Sequence, residues 1–137
     1  MTRISTFAIR ARLRNCQMSP RKARLVVDVV RGQPVEEALA QLQHLPHAAA
    51  RPIFKLIASA AANAEETYGL ARSELMVAEI FADGGRTQRR GYFGGRSRFK
   101  PILRRSCHIT VGLREANPEP LPGERPGGTD AQAGGEE

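Results

Sequence analysis

Eight basic side chains stand between residues 86 and 105 with no acid among them, and three aromatic rings are threaded through the same stretch. Arg89, Arg90, Arg96, Arg98 and Lys100 are interleaved with Tyr92, Phe93 and Phe99. A planar guanidinium grips phosphate oxygens in pairs, and an aromatic face receives a base that has left its stack. The chemistry this pairing supports is non-covalent recognition of folded or single-stranded RNA. Gly91, Gly94 and Gly95 allow close backbone approach within the same run. Arg86, Arg104 and Arg105 extend it at either end. A second acid-free segment precedes Asp28 and carries Arg3, Arg10, Arg12, Arg14, Arg21, Lys22 and Arg24, with Arg31 just beyond.

Residue types that could do covalent chemistry are scattered. His44 and His47 flank Pro46, and His108 stands alone in an alternating segment, where it is a hydrogen-bonded strand residue or a phosphate contact. Metal ligands must converge, and this spacing gives no helix face with two of them. The Gly94-Gly95 pair lacks the Lys and Ser/Thr of a phosphate-binding loop. Glu65, Glu66 and Asp83 would be the members of a metal-dependent nuclease site, but an adjacent Glu pair at a helix end is ordinarily solvated. Cys16 and Cys107 form no C-x-x-C pair and read as reduced thiols of a cytosolic protein, although a bridge between them is open to the sequence. No enzyme, cofactor or metal site is expected.

Composition agrees with a polyanionic partner. The 137 residues carry +7 overall, enough chain for one modest core. Five of the fourteen acids but only one of the twenty-one bases lie beyond residue 115, so residues 1–115 carry +11. A surface made only for solubility mixes both signs, whereas this charge is blocked. No apolar run approaches the ~18 residues of a membrane helix. The start of the chain is short and alternates like a strand, unlike a transit peptide.

These groups need elements to position them. Ile9, Ala11 and Leu13 alternate with Arg10, Arg12 and Arg14, which predicts a strand over residues 6–14 with an apolar and a cationic face. Ser19-Pro20 opens a helix and Gly32 closes it. Ala23, Val26, Val27 and Val30 form its buried stripe, and Arg21, Arg24 and Arg31 lie opposite with Asp28 in reach of the last two. A second helix runs from Pro34, with Glu36 and Glu37 in its first turn and Val35, Ala38, Leu39, Leu42 and Leu45 as its apolar set. A third spans about residues 48–67, buried through Ile53, Ile57, Ala60 and Ala64, with Pro52 near its start and Gly69 as its C-cap. Residues 75–82 and 102–114 read as a paired couple of strands. The stretch between them, residues 83–103, has no stripe that could bury, so it predicts a hairpin projecting ~30 Å at ~3.3 Å per residue, ordered by whatever surrounds it. Residues 116–137 are rich in Pro, Gly and Glu and predict a disordered acidic tail.

Four blocks now carry a resemblance. Ser19-Pro20-Arg21-Lys22-Ala23-Arg24-Leu25-Val26-Val27-Asp28-Val29-Val30-Arg31-Gly32 is similar to the opening helix of the bacterial-type large-subunit ribosomal protein L-twenty-two family. Ser59-Ala60-Ala61-Ala62-Asn63-Ala64, Ile80-Phe81-Ala82-Asp83-Gly84-Gly85 and Arg104-Arg105-Ser106-Cys107-His108-Ile109-Thr110-Val111 follow in that family's order and cover about residues 6–115. The resemblance implies an α+β fold: three helices packed on a three-stranded antiparallel sheet, with a long protruding β-hairpin. It implies binding to large-subunit ribosomal RNA, a role in assembly, and a hairpin lining the peptide exit tunnel, beside the nascent polypeptide and neighbouring ribosomal proteins. Carried onto this chain, Arg89, Arg90, Arg96, Arg98 and Lys100 contact RNA near the tip and Arg21, Lys22, Arg24 and Arg31 brace it from the body. Tyr92-Phe93-Gly94-Gly95-Arg96-Ser97-Arg98 departs from the proline and Lys/Arg-rich turn usual in the family.

The expectation is a cytoplasmic ribosomal protein of a bacterium or plastid. A nucleoid-type DNA-binding protein and the metal-dependent nuclease are the rivals, and neither accounts for a hairpin without a core.

Overall fold

The computed structural model describes residues 9–116. The beginning of the first expected strand, at residues 6–8, and almost all of the expected acidic tail lie outside those residues. The described chain runs β1 (Ile9–Cys16), α1 (Pro20–Val30), α2 (Val35–His44), α3 (Ala50–Tyr68), β2 (Leu75–Gly84), β3 (Gln88–Phe93), β4 (Phe99–Arg104) and β5 (Cys107–Glu115). β1, β5 and β2 form an antiparallel sheet in that order, and β3 and β4 form a separate antiparallel pair. The three helices lie on the sheet as expected: α1 packs on β2, α3 on β1 and β5, and α2 on α3.

Local sequence explains the helix ends. Pro20 opens α1 after an extended Ser19, whose hydroxyl makes no capping bond, and Gly32 at φ +77 turns the chain away. Pro52 sits in the first turn of α3, where its missing N–H is one that no helical carbonyl would have met. Gly69 at φ +68 ends α3 in the left-handed cap the sequence predicts.

One apolar cluster joins these elements. Val26, Val27 and Val30 of α1, Ile53 and Ile57 of α3, and Ile109, Val111 and Leu113 of β5 are fully buried. Each such side chain contributes ~1.5–3 kcal/mol on burial; among the described residues no polar residue is buried as a whole, although Gln33 Oε1 is enclosed without a hydrogen-bond partner. Ala60, Ala61 and Ala64 let α3 lie close to the sheet, while truncating its central Ile57 to Ala would cost ~2–5 kcal/mol.

Two features of β2 were not visible in its run of strand formers. A bulge falls between Val77 and Glu79, so that Leu75 and Val77 before it and Ile80 and Ala82 after it all face the core. The edge of β2 away from β5 is also closed. Gly32 donates its N–H to the Val77 carbonyl at 2.8 Å, and Val77 donates to the Gln33 carbonyl at 2.9 Å. Further along, Arg31 donates to the Ile80 carbonyl and Arg24 to the Ala82 carbonyl. Asp28 pairs with Arg31 at 2.8 Å but not with Arg24, which corrects the expectation that it steadies both.

The expected continuous strand over residues 102–114 is interrupted at Arg105 and Ser106. Gly85 donates its N–H to the Ser106 carbonyl at 2.8 Å, and Ser106 Oγ donates to the Arg86 carbonyl at 2.7 Å, which clamps the two chains where they leave the sheet. A β-carbon at Gly85 would lie 2.6 Å from Ser106 Oγ, so a side chain here would displace that hydroxyl from its bond to the Arg86 carbonyl.

Candidate nucleic-acid interface

The β3–β4 ribbon sorts its side chains by face. Register pairs Gln88 with Arg104, Arg90 with Ile102 and Tyr92 with Lys100 on one side, and Arg89 with Leu103, Gly91 with Pro101 and Phe93 with Phe99 on the other. All twelve strand residues are exposed, and the buried core draws on none of them. The first face is cationic, with Lys100 Nζ 5.9 Å from the Tyr92 ring centroid. The second is largely apolar: the Phe93 and Phe99 rings meet edge-on at 6.0 Å and are 76% and 62% exposed. Pairing across the two strands assembles an apolar face that neither strand shows alone, and it stays exposed, in keeping with a segment that has no stripe to bury. Arg89 and Arg90 consequently point to opposite sides.

The tip is tight. Gly94 donates its N–H to the Arg98 carbonyl at 2.7 Å, and Arg96 and Ser97 between them hold φ of +57 and +56. Left-handed backbone costs a residue with a β-carbon ~1–2 kcal/mol, and here it turns Arg96 and Arg98 outward on an exposed loop. Arg86 and Arg105 are exposed at the base of the ribbon.

The body contributes two further groups. Arg10, Arg12 and Arg14 are exposed on the open face of β1, as their alternation predicts. Arg21 and Lys22 are exposed at the start of α1, whereas Arg24 and Arg31 spend donors on β2 carbonyls. His108 is half-buried on β5, and its Nδ1 accepts a bond from the Asn15 N–H at 3.0 Å. Phe81 is the residue sequence reasoning left out. It stands on the open sheet face across Thr110 from Arg12, and an aromatic residue on the solvent side of a strand was the available signal.

The acids are not gathered. The Glu65 carboxylate pairs with Arg72 Nε at 2.8 Å, far along the chain from Asp83 at the end of β2. Among the described residues, no three His, Cys, Asp or Glu side chains come together as a metal site, and no helix is long and apolar enough to cross a membrane.

An α+β body with exposed arginines along the β1 side of its open sheet face and an exposed basic hairpin presents its chemistry on the surface, as a binding protein does. Residues 11–114 match the family described as ribosomal protein L22p/L17e, and the chain belongs to that family. It is 49% identical over 102 residues to the large ribosomal subunit protein uL22 of Herpetosiphon aurantiacus, covering 74% of this chain and 90% of that one. Against the protein of the same description from Thermomicrobium roseum it is 46% identical over 107 residues, covering 78% and 91%. The family is one of structural ribosomal proteins, not of enzymes.

Proposed function

We propose that this chain is a structural constituent of the large ribosomal subunit that binds large-subunit ribosomal RNA, aids assembly, and lines the nascent-peptide exit tunnel with its β3–β4 hairpin. The observation that carries the reading is a ribbon with every strand residue exposed, mainly basic around Tyr92 on one face and mainly apolar beside Arg89 on the other, which gains nothing from the protein's own core. Such a ribbon suits insertion into RNA, with Arg90, Lys100 and Arg104 on phosphates and Phe93 and Phe99 available to bases or to a passing peptide. Arg10, Arg12, Arg14, Arg21 and Lys22 extend the contact over the body, joined by His108, Arg86 and Arg105. A protein neighbour fits the apolar depression lined by Val29, Ala40, Gln41, His44 and Leu45. Residence in a cytoplasmic bacterial-type ribosome follows from the same reading.

Affinity of this kind arises largely from counter-ion release, so neutralising ~10 phosphates makes binding fall steeply with salt. In a filter-binding titration against large-subunit RNA, replacing Arg89, Arg90, Arg96 and Arg98 with Ala should flatten the salt slope by about three to four units. An unchanged slope would locate the phosphate contacts elsewhere. A sucrose-gradient profile of the tagged chain should show it in the large-subunit peak.

A further inference from the structure

The open face of the three-stranded sheet is divided by charge. Its middle strand offers small or polar groups there, Gly112, Thr110 and His108. Register sets Arg10 and Glu79 on either side of Gly112, Arg12 and Phe81 on either side of Thr110, and Asp83 beside His108. The β1 edge is thus cationic and the β2 edge is anionic around one exposed phenyl ring. With the small Thr110 between the flanking strands, the face sinks into a depression of about 410 Å³ lined by Arg10, Ala11, Arg12, Phe81, Asp83 and Thr110. That lies within the ~300–1,000 Å³ range of small-molecule sites. Asp83 shares the depression with two arginines yet, among the described residues, has no ion-pair or hydrogen-bond partner. Phe81, 42% exposed, presents an aromatic face between them.

We propose that this depression is a nucleobase site for one unstacked guanine of the bound RNA. The inference rests on the RNA-binding reading above and adds a base preference to it. The charge division fixes the orientation: the nucleotide's phosphate goes toward Arg10 and Arg12, and its base reaches across Thr110 to Phe81 and Asp83. An ionised carboxylate only accepts hydrogen bonds. Guanine alone among the four bases places two adjacent donors, N1–H and the N2 amino group, on its Watson–Crick edge. Adenine and cytosine put an acceptor beside their amino group, and uracil sets its single imino donor between two carbonyls. A carboxylate therefore meets guanine bidentately and the others with one bond at most, which is the basis of discrimination by a matched pair.

The test uses the purified full chain and fluorescence anisotropy with labelled pentanucleotides UUGUU, UUAUU, UUCUU, UUUUU and the inosine analogue UUIUU, alongside a large-subunit RNA transcript. UUGUU should bind about tenfold more tightly than the other three natural sequences, with UUIUU between them because it lacks the N2 amino group. Asp83→Asn should erase the guanine preference, and Phe81→Ala should weaken every pentanucleotide by a similar factor. Both side chains are exposed, so unfolding curves of the two variants should overlay the parent and exclude misfolding. Equal binding of all pentanucleotides, binding of none, or a guanine preference that survives Asp83→Asn overturns the site. If the transcript still binds in that event, only the base site is lost; if the transcript fails as well, the RNA-binding reading falls with it.

Discussion

Arg31 donates from Nε and Nη2 to the carbonyl of Ile80, at 3.3 and 3.0 Å, while its Nη1 meets Asp28 at 2.8 Å. One guanidinium thus fastens α1 to the outer edge of β2, and Arg24 does the same for Ala82 at 3.1 Å. An uncovered strand edge is a template for foreign strands, so these bonds give two of the basic residues a structural task independent of RNA. Hydrogen bonds from a charged donor contribute ~1.5–3 kcal/mol, less at a half-exposed position. Arg31→Ala should therefore lower stability in urea by ~1–2 kcal/mol and raise aggregation. Asp28→Ala, which removes only an exposed ion pair, should cost under ~0.5 kcal/mol. Arg31→Lys should not restore the parent, because an ammonium lacks the fork. Equal midpoints for Arg31→Ala and the parent would refute the edge-closing role.

That double role marks where the sequence stops being legible. The valine stripe of α1, the small face of α3 and the Gly69 cap follow from short-range spacing, and all three are found where spacing puts them. The alternating arginines of β1 are likewise exposed. What spacing cannot give is register. The β2 bulge, the two faces of the ribbon and the alignment of Arg12, Thr110 and Phe81 each depend on which residue of a distant strand lies opposite. The same holds for Arg24 and Arg31, whose partners are backbone carbonyls 58 and 49 residues away and have no side-chain signature.

Asn15 holds φ +55 at the irregularity between Leu13 and Cys16 in β1. Asparagine tolerates this backbone, glycine does so freely, and a β-branched residue does not. Asn15→Val should cost ~1–2 kcal/mol, and Asn15→Gly should stay within ~0.5 kcal/mol of the parent. The bond from the Asn15 N–H to His108 Nδ1 depends on the same turn, so the valine variant should also shift the His108 ring resonances in an NMR spectrum. If valine and glycine prove equally stable, backbone strain at this site is not what selects the residue.

The ring of Phe99 lies over Gly91, so closely that a β-carbon there would collide with it and approach the Lys100 carbonyl at 3.0 Å. Gly91→Ala should push Phe99 off the ribbon and break its edge-on contact with Phe93. Because the ribbon contributes nothing to the core, the global unfolding midpoint should hardly move. Amide exchange in β3 and β4 should instead quicken several-fold while β5 stays protected. A uniform loss of protection across both sheets would show that the ribbon and the body are one cooperative unit.

Cys107 stands opposite Cys16 in the register of β5 and β1 and is fully buried. Burial first, and the neighbouring Cys16 second, push its thiol from an ordinary 9.0 up to about 11. Between these values the unfolded chain loses the Cys107 proton while the folded chain keeps it. The unfolded state then binds fewer protons, so stability is complete below pH 9 and falls as pH rises toward 11. Cys107→Ala should be less stable throughout, since it leaves a small cavity, but its stability should decline less between pH 8 and 10.5. Subtracting the two urea midpoints at each pH cancels the titration of lysines and tyrosines common to both proteins. The buried thiol should also resist iodoacetamide at pH 8 after the half-buried Cys16 has reacted. Parallel pH profiles for parent and variant would show that this thiol is not the group whose ionisation destabilises the fold.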